Sequence, residues 1–134
     1  MDDIFVGQLM SDGIHTVTPD TFVEDAAQVM LDEEIGSVIV VDDDGRLEGI
    51  LTNTDFVTIV ANSKPKARTT VERYMSTDVV TASAQDSIRD VADAMLDHGF
   101  HHMPVVDDDG SAIGIVTTKD LTSYISTVQT PSPA

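Results

Sequence analysis

The sequence predicts an α+β fold of two β-α-β-β-α repeats packed with pseudo-twofold symmetry, each a small mixed sheet with helices on one side. Three observations carry this. Residues 6–61 align with 71–126 at a constant offset of 65, without gaps, and 19 of the 56 pairs are identical. Each copy holds an apolar stripe at helical spacing, then two short apolar runs split by Asp-Asp-Asp-Gly. The chain has 134 residues, 41% of them hydrophobic, enough for a compact core, while each copy alone is too small to bury much surface, so the two should pack together.

The elements follow in chain order. Residues 6–10 read as a short helical lead-in, and residues 71–75 are its copy. Short strands are expected near residues 14–17 and 79–82. Val23, Ala26, Ala27, Met30 and Leu31 form one face of an amphipathic helix, repeated by Ile88, Val91, Ala92, Met95 and Leu96. Thr21 with Glu24 reads as a capping box, and Asp86 as the matching N-cap. Residues 37–41 and 47–51 read as a β-hairpin with Gly45 at positive φ, and residues 103–106 and 113–116 repeat it around Gly110. A second helix follows Thr52 and Thr117, expected to bury Phe56, Ile59 and Val60 in one copy and Leu121, Tyr124 and Ile125 in the other. The first repeat is placed at 1–61, a polar linker at 62–70, the second repeat at 71–127 and a flexible tail at 128–134.

Charge narrows the function classes. Acids outnumber bases 24 to 7, for a net charge of -17. A nucleic-acid binder needs Lys and Arg to displace counterions, and an anionic membrane surface needs them too, so neither partner is expected. There is no cysteine, which removes disulfides, thiolate metal sites and thiol catalysis. No apolar run can span a bilayer, and the N-terminus lacks a signal-peptide pattern, so a cytoplasmic location is expected. Many Asp, few Lys and abundant Thr resemble the composition of proteins from extreme halophiles, in which salt screens self-repulsion.

Several residues invite chemistry. Thr52 with Asp55, and Thr117 with Asp120, stand at helix starts, where they could cap the helix or meet a ligand. His98, His101 and His102 cluster, but they lack the carboxylate pattern of a metal centre. The Asp-Asp-Asp-Gly segments read as turns, because they lack EF-hand spacing. There is no Ser-His-Asp pattern, phosphate-binding Walker loop or zinc motif, so no enzyme, catalytic residue or resident metal is expected.

In order, spacing and duplication, these motifs resemble the cystathionine-β-synthase (CBS) domain, which in tandem forms the Bateman module. The carrying residues are Leu9-Met10-Ser11 with Val17-Thr18-Pro19, Ala26 to Met30, Ser37 to Asp42 and Gly49 to Asp55. The second copy supplies Tyr74-Met75-Ser76, His101 to Asp107 and Gly114 to Asp120. The resemblance implies a stand-alone regulatory module, usually a homodimer. It would require no cofactor and would sense AMP, ADP, ATP or S-adenosylmethionine in two clefts where the repeats meet. Carried across, the first cleft pairs Thr52, Thr54 and Asp55 with Thr77, Asp78 and Val79 and with Phe100, His101, His102 and Met103. The second pairs Thr117, Lys119 and Asp120 with Asp12, Gly13 and Ile14 and with Ile35, Gly36, Ser37 and Val38. The family's Asp accepts from the ribose hydroxyls and its hydroxyl side chains donate to phosphate. Here Lys119 replaces one hydroxyl, Gly36-Ser37 offers no cation, and Ile39 stands opposite Pro104. Two alternatives stay open: a dimerisation or protein-interaction module with empty clefts, and a divalent-ion or ionic-strength sensor.

Overall fold

The computed structural model describes residues 4–61 and 69–128; residues 62–68 of the expected linker and 129–134 of the expected tail lie outside them. The first copy contains α1 (Val6–Leu9), β1 (Thr16–Val17), α2 (Val23–Glu33), β2 (Ser37–Val41), β3 (Leu47–Thr52) and α3 (Asn53–Ala61). The second contains a 3-10 turn (Val71–Arg73), α4 (Ile88–His98), β4 (His102–Val106), β5 (Ala112–Thr117) and α5 (Thr118–Val128). β1 runs parallel to β2, which pairs antiparallel with β3; β4 pairs antiparallel with β5. Gly45 and Gly110 turn the hairpins at φ of +83° and +84°, where a side chain would be strained.

The second sheet is one strand short of its counterpart. The strand expected near residues 79–82 is a single parallel bridge, Ala82 to Val105. The cause is Pro104. At the equivalent position in the first repeat, the Ile39 N–H donates to the His15 carbonyl at 3.4 Å. Proline has no N–H to extend the ladder.

The lead-in segments are exchanged between the repeats. Val6 is fully buried in the core of Ala82, Val91, Met95, Met103, Val105 and Val116. Val71 is fully buried among Val17, Val23, Ala26, Met30, Val38, Val40, Leu51 and Ile59. Each valine thus contributes about 1.5–3 kcal/mol to holding the two repeats together. The backbone repeats the exchange: the Val6 N–H donates to the Asp86 carbonyl and the Val71 N–H to the Thr21 carbonyl, both at 2.8 Å. Ser11 and Ile115 exchange two bonds of 3.0 Å, and Ser76 and Ile50 exchange bonds of 2.9 and 3.0 Å. At the hairpin tips the Leu47 N–H meets the Gly110 carbonyl at 2.9 Å, and the Ala112 N–H meets the Gly45 carbonyl at 3.0 Å. All of these pairs obey the 65-residue offset, so the pseudo-twofold relation holds at the level of single hydrogen bonds.

Where the exchanged segments cross the hairpins, the sequence has Gly49 and Gly114. A Cβ on Gly49 would lie 2.6 Å from the Ser76 carbonyl oxygen, and one on Gly114 would lie 2.5 Å from the Met10 sulfur. Only glycine permits that approach.

Three local expectations are corrected. The N-caps of α2 and α4 are Phe22 and Ser87, and the Ser87 hydroxyl accepts from the Asp90 N–H at 3.2 Å. Thr21 and Asp86 instead accept from the N–H groups of Thr18 (3.1 Å) and Ser83 (2.9 Å), closing the loops before those helices. Leu31 and Leu96 lie at the edge of their stripes and are 72% and 82% exposed. Val60 and Ile125, expected inside, are 72% and 54% exposed.

Candidate functional site at the junction of the repeats

β3 passes into α3 without a loop, so Asp55 in the first helical turn reaches back to the strand end. Its Oδ2 accepts from the Thr52 N–H at 2.8 Å and from the Thr52 hydroxyl at 3.3 Å. In the second copy, Asp120 Oδ2 accepts from the Thr117 N–H at 2.8 Å and from its hydroxyl at 3.1 Å. The Thr117 hydroxyl accepts in return from the Asp120 N–H at 3.2 Å. Both aspartates therefore cap their helices. Each still has a second carboxylate oxygen that makes no hydrogen bond among the described residues.

Asp55 borders a cavity of about 820 Å³. Ile50, Thr52, Asn53 and Thr54 line it from the first repeat. Ser76, Asp78, Val79 and Val80 line it from the segment that enters the second, and residues 98–102 close it. The rings of His98 and Phe100 stack there, with centroids 5.6 Å apart and planes 22° from parallel. The structure thus brings Thr52, Thr54, Asp55, Asp78, Val79, His101 and His102 around one space. Met103 does not join them: its side chain is 1% exposed and belongs to the second core. The sequence reading missed Ile50, Asn53, Ser76, Val80, His98 and Gly99. Ile50 and Ser76 could have been found from their place beside the Gly49 and Met75 motifs. His98 follows from its distance of three residues to His101.

His102 has an unusual setting. It heads β4, paired with Thr117. Its ring fills the space that a side chain at residue 36 would take: a Cβ on Gly36 would lie 3.1 Å from His102 Cε1 and 3.2 Å from Asn53 Nδ2. Nδ1 is buried and has no hydrogen-bond partner among the described residues. Burial, reinforced by the neighbouring His101, holds its pKa below the ordinary imidazole value, with Asp120 pulling weakly the other way.

The second cleft keeps the Thr117–Asp120 frame but differs around it. His15 and Glu33 occupy the positions equivalent to Val80 and His98, and His15 Nε2 lies 3.3 Å from Glu33 Oε2. Gly36 and Ser37 stand where the first cleft has His101 and His102. Ser37 is buried, and Val38 is fully buried in the first core, so Val38, like Met103, is corrected from a lining residue to a core residue. Gly13 is exposed with open space around it, and Ile14 is half-buried. Lys119 is exposed and lines an open depression on α5 with Thr118, Thr122, Ser123 and Ser126.

Each acidic turn uses its first carboxylate internally. Asp42 Oδ1 accepts from the Asp44 and Arg46 N–H groups, both at 2.9 Å. Asp107 Oδ1 accepts from the N–H groups of Asp109 (3.0 Å) and Ser111 (2.9 Å). Among the described residues no group of three or more His, Asp or Glu side chains could hold a metal ion. No described helix is long and apolar enough to cross a membrane.

Known proteins share this architecture. The CBS domain pair of protein MJ0100, crystallised with 5′-methylthioadenosine and S-adenosyl-L-methionine, is 26% identical. It superimposes at a TM-score of 0.88 over 96% of this chain and 100% of that one. The cytosolic domain of the Mg²⁺ channel MgtE, crystallised with ATP, is 29% identical, with a TM-score of 0.77 over 90% of this chain and 48% of that one. An uncharacterised 17.7 kDa protein of Acidianus ambivalens is 32% identical over 125 residues, 93% of this chain and 75% of that one. The inosine-5′-monophosphate dehydrogenase of Nitrosopumilus maritimus is 32% identical over 117 residues, but the match spans only 23% of that enzyme. Residues 6–62 and 71–127 each match the CBS domain, and the chain belongs to that family as a tandem pair, a Bateman module.

Proposed function

We propose that this chain is a regulatory module that binds an adenosine-containing ligand in the cavity between its repeats. The observation that carries this reading is the free oxygen of Asp55 at the edge of a cavity of about 820 Å³ that also holds His98, His101 and His102. A carboxylate only accepts, which suits a ribose diol. Phe100 offers an aromatic face to a purine. Thr54, at the start of α3, and the imidazoles offer donors to phosphate. The ligands named for MJ0100 and MgtE support the adenosine class, and AMP, ADP, ATP and S-adenosylmethionine are the candidates. Thr117 and Asp120, with Lys119, Gly13, Ile14, Gly36 and Ser37 around them, form a weaker second cleft. A ligand pool of this kind fits a cytoplasmic protein.

Binding would regulate by shifting how the repeats pack, since a ligand acts only through its differential affinity for two states. The reader of that shift is a second copy of this chain. Leu31, Val57, Val60, Leu96 and Ile125 are all more than half exposed, and Leu31 with Leu96 and Val60 with Ile125 are offset-related pairs. Two-sided exposure of this kind suits a symmetric homodimer. Light scattering tests this: a dimer that becomes a monomer in Leu96→Asp supports it, and a monomeric parent chain contradicts it.

The ligand is tested by titration calorimetry in molar KCl with AMP, ADP, ATP and S-adenosylmethionine, and with Mg²⁺ alone. Saturable binding of an adenosine compound at one per chain supports the reading. Silence from all four on folded protein returns the chain to the interaction-module alternative, and heat from Mg²⁺ alone to the ion sensor.

A further inference from the structure

We infer that the cavity takes up a proton together with its ligand, at His102, and that this makes the site favour phosphate-bearing adenosine compounds over uncharged ones. The inference rests on the adenosine reading above and adds how the site ranks its ligands. Three features place the proton at His102. Its backbone is fixed in β4, its ring borders the cavity, and Gly36 leaves room for that ring where a side chain would crowd it. Its Nδ1 is buried and unpaired among the described residues, which leaves a polar atom short of one partner. Burial also keeps the ring neutral near neutral pH in the ligand-free chain.

The charged groups around the ring come from every neighbouring element. His101 precedes it on the same strand, and His98 lies at the end of α4. Asp55 at the start of α3 and Asp78 in the connecting segment share the cavity, and Asp120 approaches from α5. These carboxylates do not outweigh burial and His101. A phosphate dianion would. An opposite charge within about 4–6 Å typically moves a pKa by about one to three units. The imidazole then takes a proton from the buffer, and both its nitrogens become donors. Affinity for a phosphate-bearing ligand therefore rises as pH falls from about 8 to about 6, below which the phosphate itself protonates.

The test is calorimetry of AMP and adenosine at about pH 7.5, above the pKa range in which burial holds His102, in two buffers of different ionisation enthalpy and molar KCl. The expected result is a buffer-dependent heat for AMP that corresponds to uptake of up to about one proton per site, and none for adenosine. His102→Gln is expected to abolish the uptake and reduce the preference for AMP over adenosine by about tenfold, because a charge-assisted bond is lost. His15→Gln, at the other cleft, leaves both unchanged. Equal AMP heats in the two buffers overturn the inference and leave the nucleotide reading intact. Absence of AMP binding overturns the inference, and it overturns the adenosine reading as well only where ADP, ATP and S-adenosylmethionine are also silent. The buffer comparison uses the unaltered chain, so poor folding of the variant does not shield the inference.

Discussion

The two clefts are built on one frame and finished differently. In both, a Thr and an Asp at a strand-to-helix junction make the same hydrogen bond of 2.8 Å. Around the first stand three histidines and Phe100, enclosing a cavity. At the matching positions the second has Glu33, Ile35, Gly36 and Ser37, with His15 bound to Glu33. The frame depends on backbone pairing, which the duplication kept. The lining depends on the side chains between each helix end and the next strand, and those diverged even though Phe100 and Ile35 also pack against their cores. A capping motif therefore reports where a cleft is, while the residues from the preceding helix end to the first residue of the next strand report what it can hold.

The largest expected effect tests that division. Asp55→Asn keeps an oxygen for the Thr52 cap but loses the charged acceptor, and should weaken the adenosine ligand by about 1.5–3 kcal/mol, a loss of tenfold or more. Asp120→Asn should leave that affinity within about twofold. Equal losses in calorimetry would mean that both clefts are occupied alike. Alanine is the wrong probe here, because loss of the cap costs about 1 kcal/mol of stability by itself.

The frame can be broken at its crossing points. Gly49→Ala should destabilise by about 1–3 kcal/mol in urea unfolding, because its Cβ meets a backbone oxygen. Gly114→Ala should cost less, since its nearest obstacle is the flexible Met10 side chain. The reverse order would contradict the reading that the Ser76 backbone oxygen yields less readily than the Met10 side chain.

A smaller effect sharpens the comparison at the helix ends. α4 ends on Gly99 at φ +72°, whereas α2 ends on Glu34 at φ +55°. Glu34→Gly should raise stability by about 0.5–1 kcal/mol, read as a higher urea midpoint. The smallest effect is a pH slope. The folded chain holds the pKa of His102 below its unfolded value, so the unfolded state binds the proton first. Stability should fall as pH drops below about 6.5 and level off once the folded group also protonates. His102→Gln should remove that part of the slope. The halophile-like composition is tested separately: unfolding in dilute buffer and refolding in molar KCl would support it.

Much of the fold was legible because the duplication doubled every signal. The hairpins, the paired helices and the Thr-Asp junctions each occur twice at one offset. The exchange of lead-ins was not legible, because Val6 and Val71 read as apolar wherever they pack. Leu31 and Leu96 misled for the opposite reason: their spacing fits the buried stripe, and spacing alone does not fix how far the partner surface extends. The loss of a strand before α4 could have been read from Pro104, which lacks the N–H that Ile39 supplies. At the site, the junction residues and the two histidines announced themselves by motif. Val38 and Met103 were misplaced because alternating strand residues face the core, and the motif does not say which alternate.

The most direct test of the central claim is a crystal structure of the chain grown with AMP. A single strong site is expected in the cavity, with the ribose on Asp55, the base beside Phe100 and the phosphate against His101 and His102. AMP bound instead at Asp120, or bound in solution yet absent from this cavity, would contradict it.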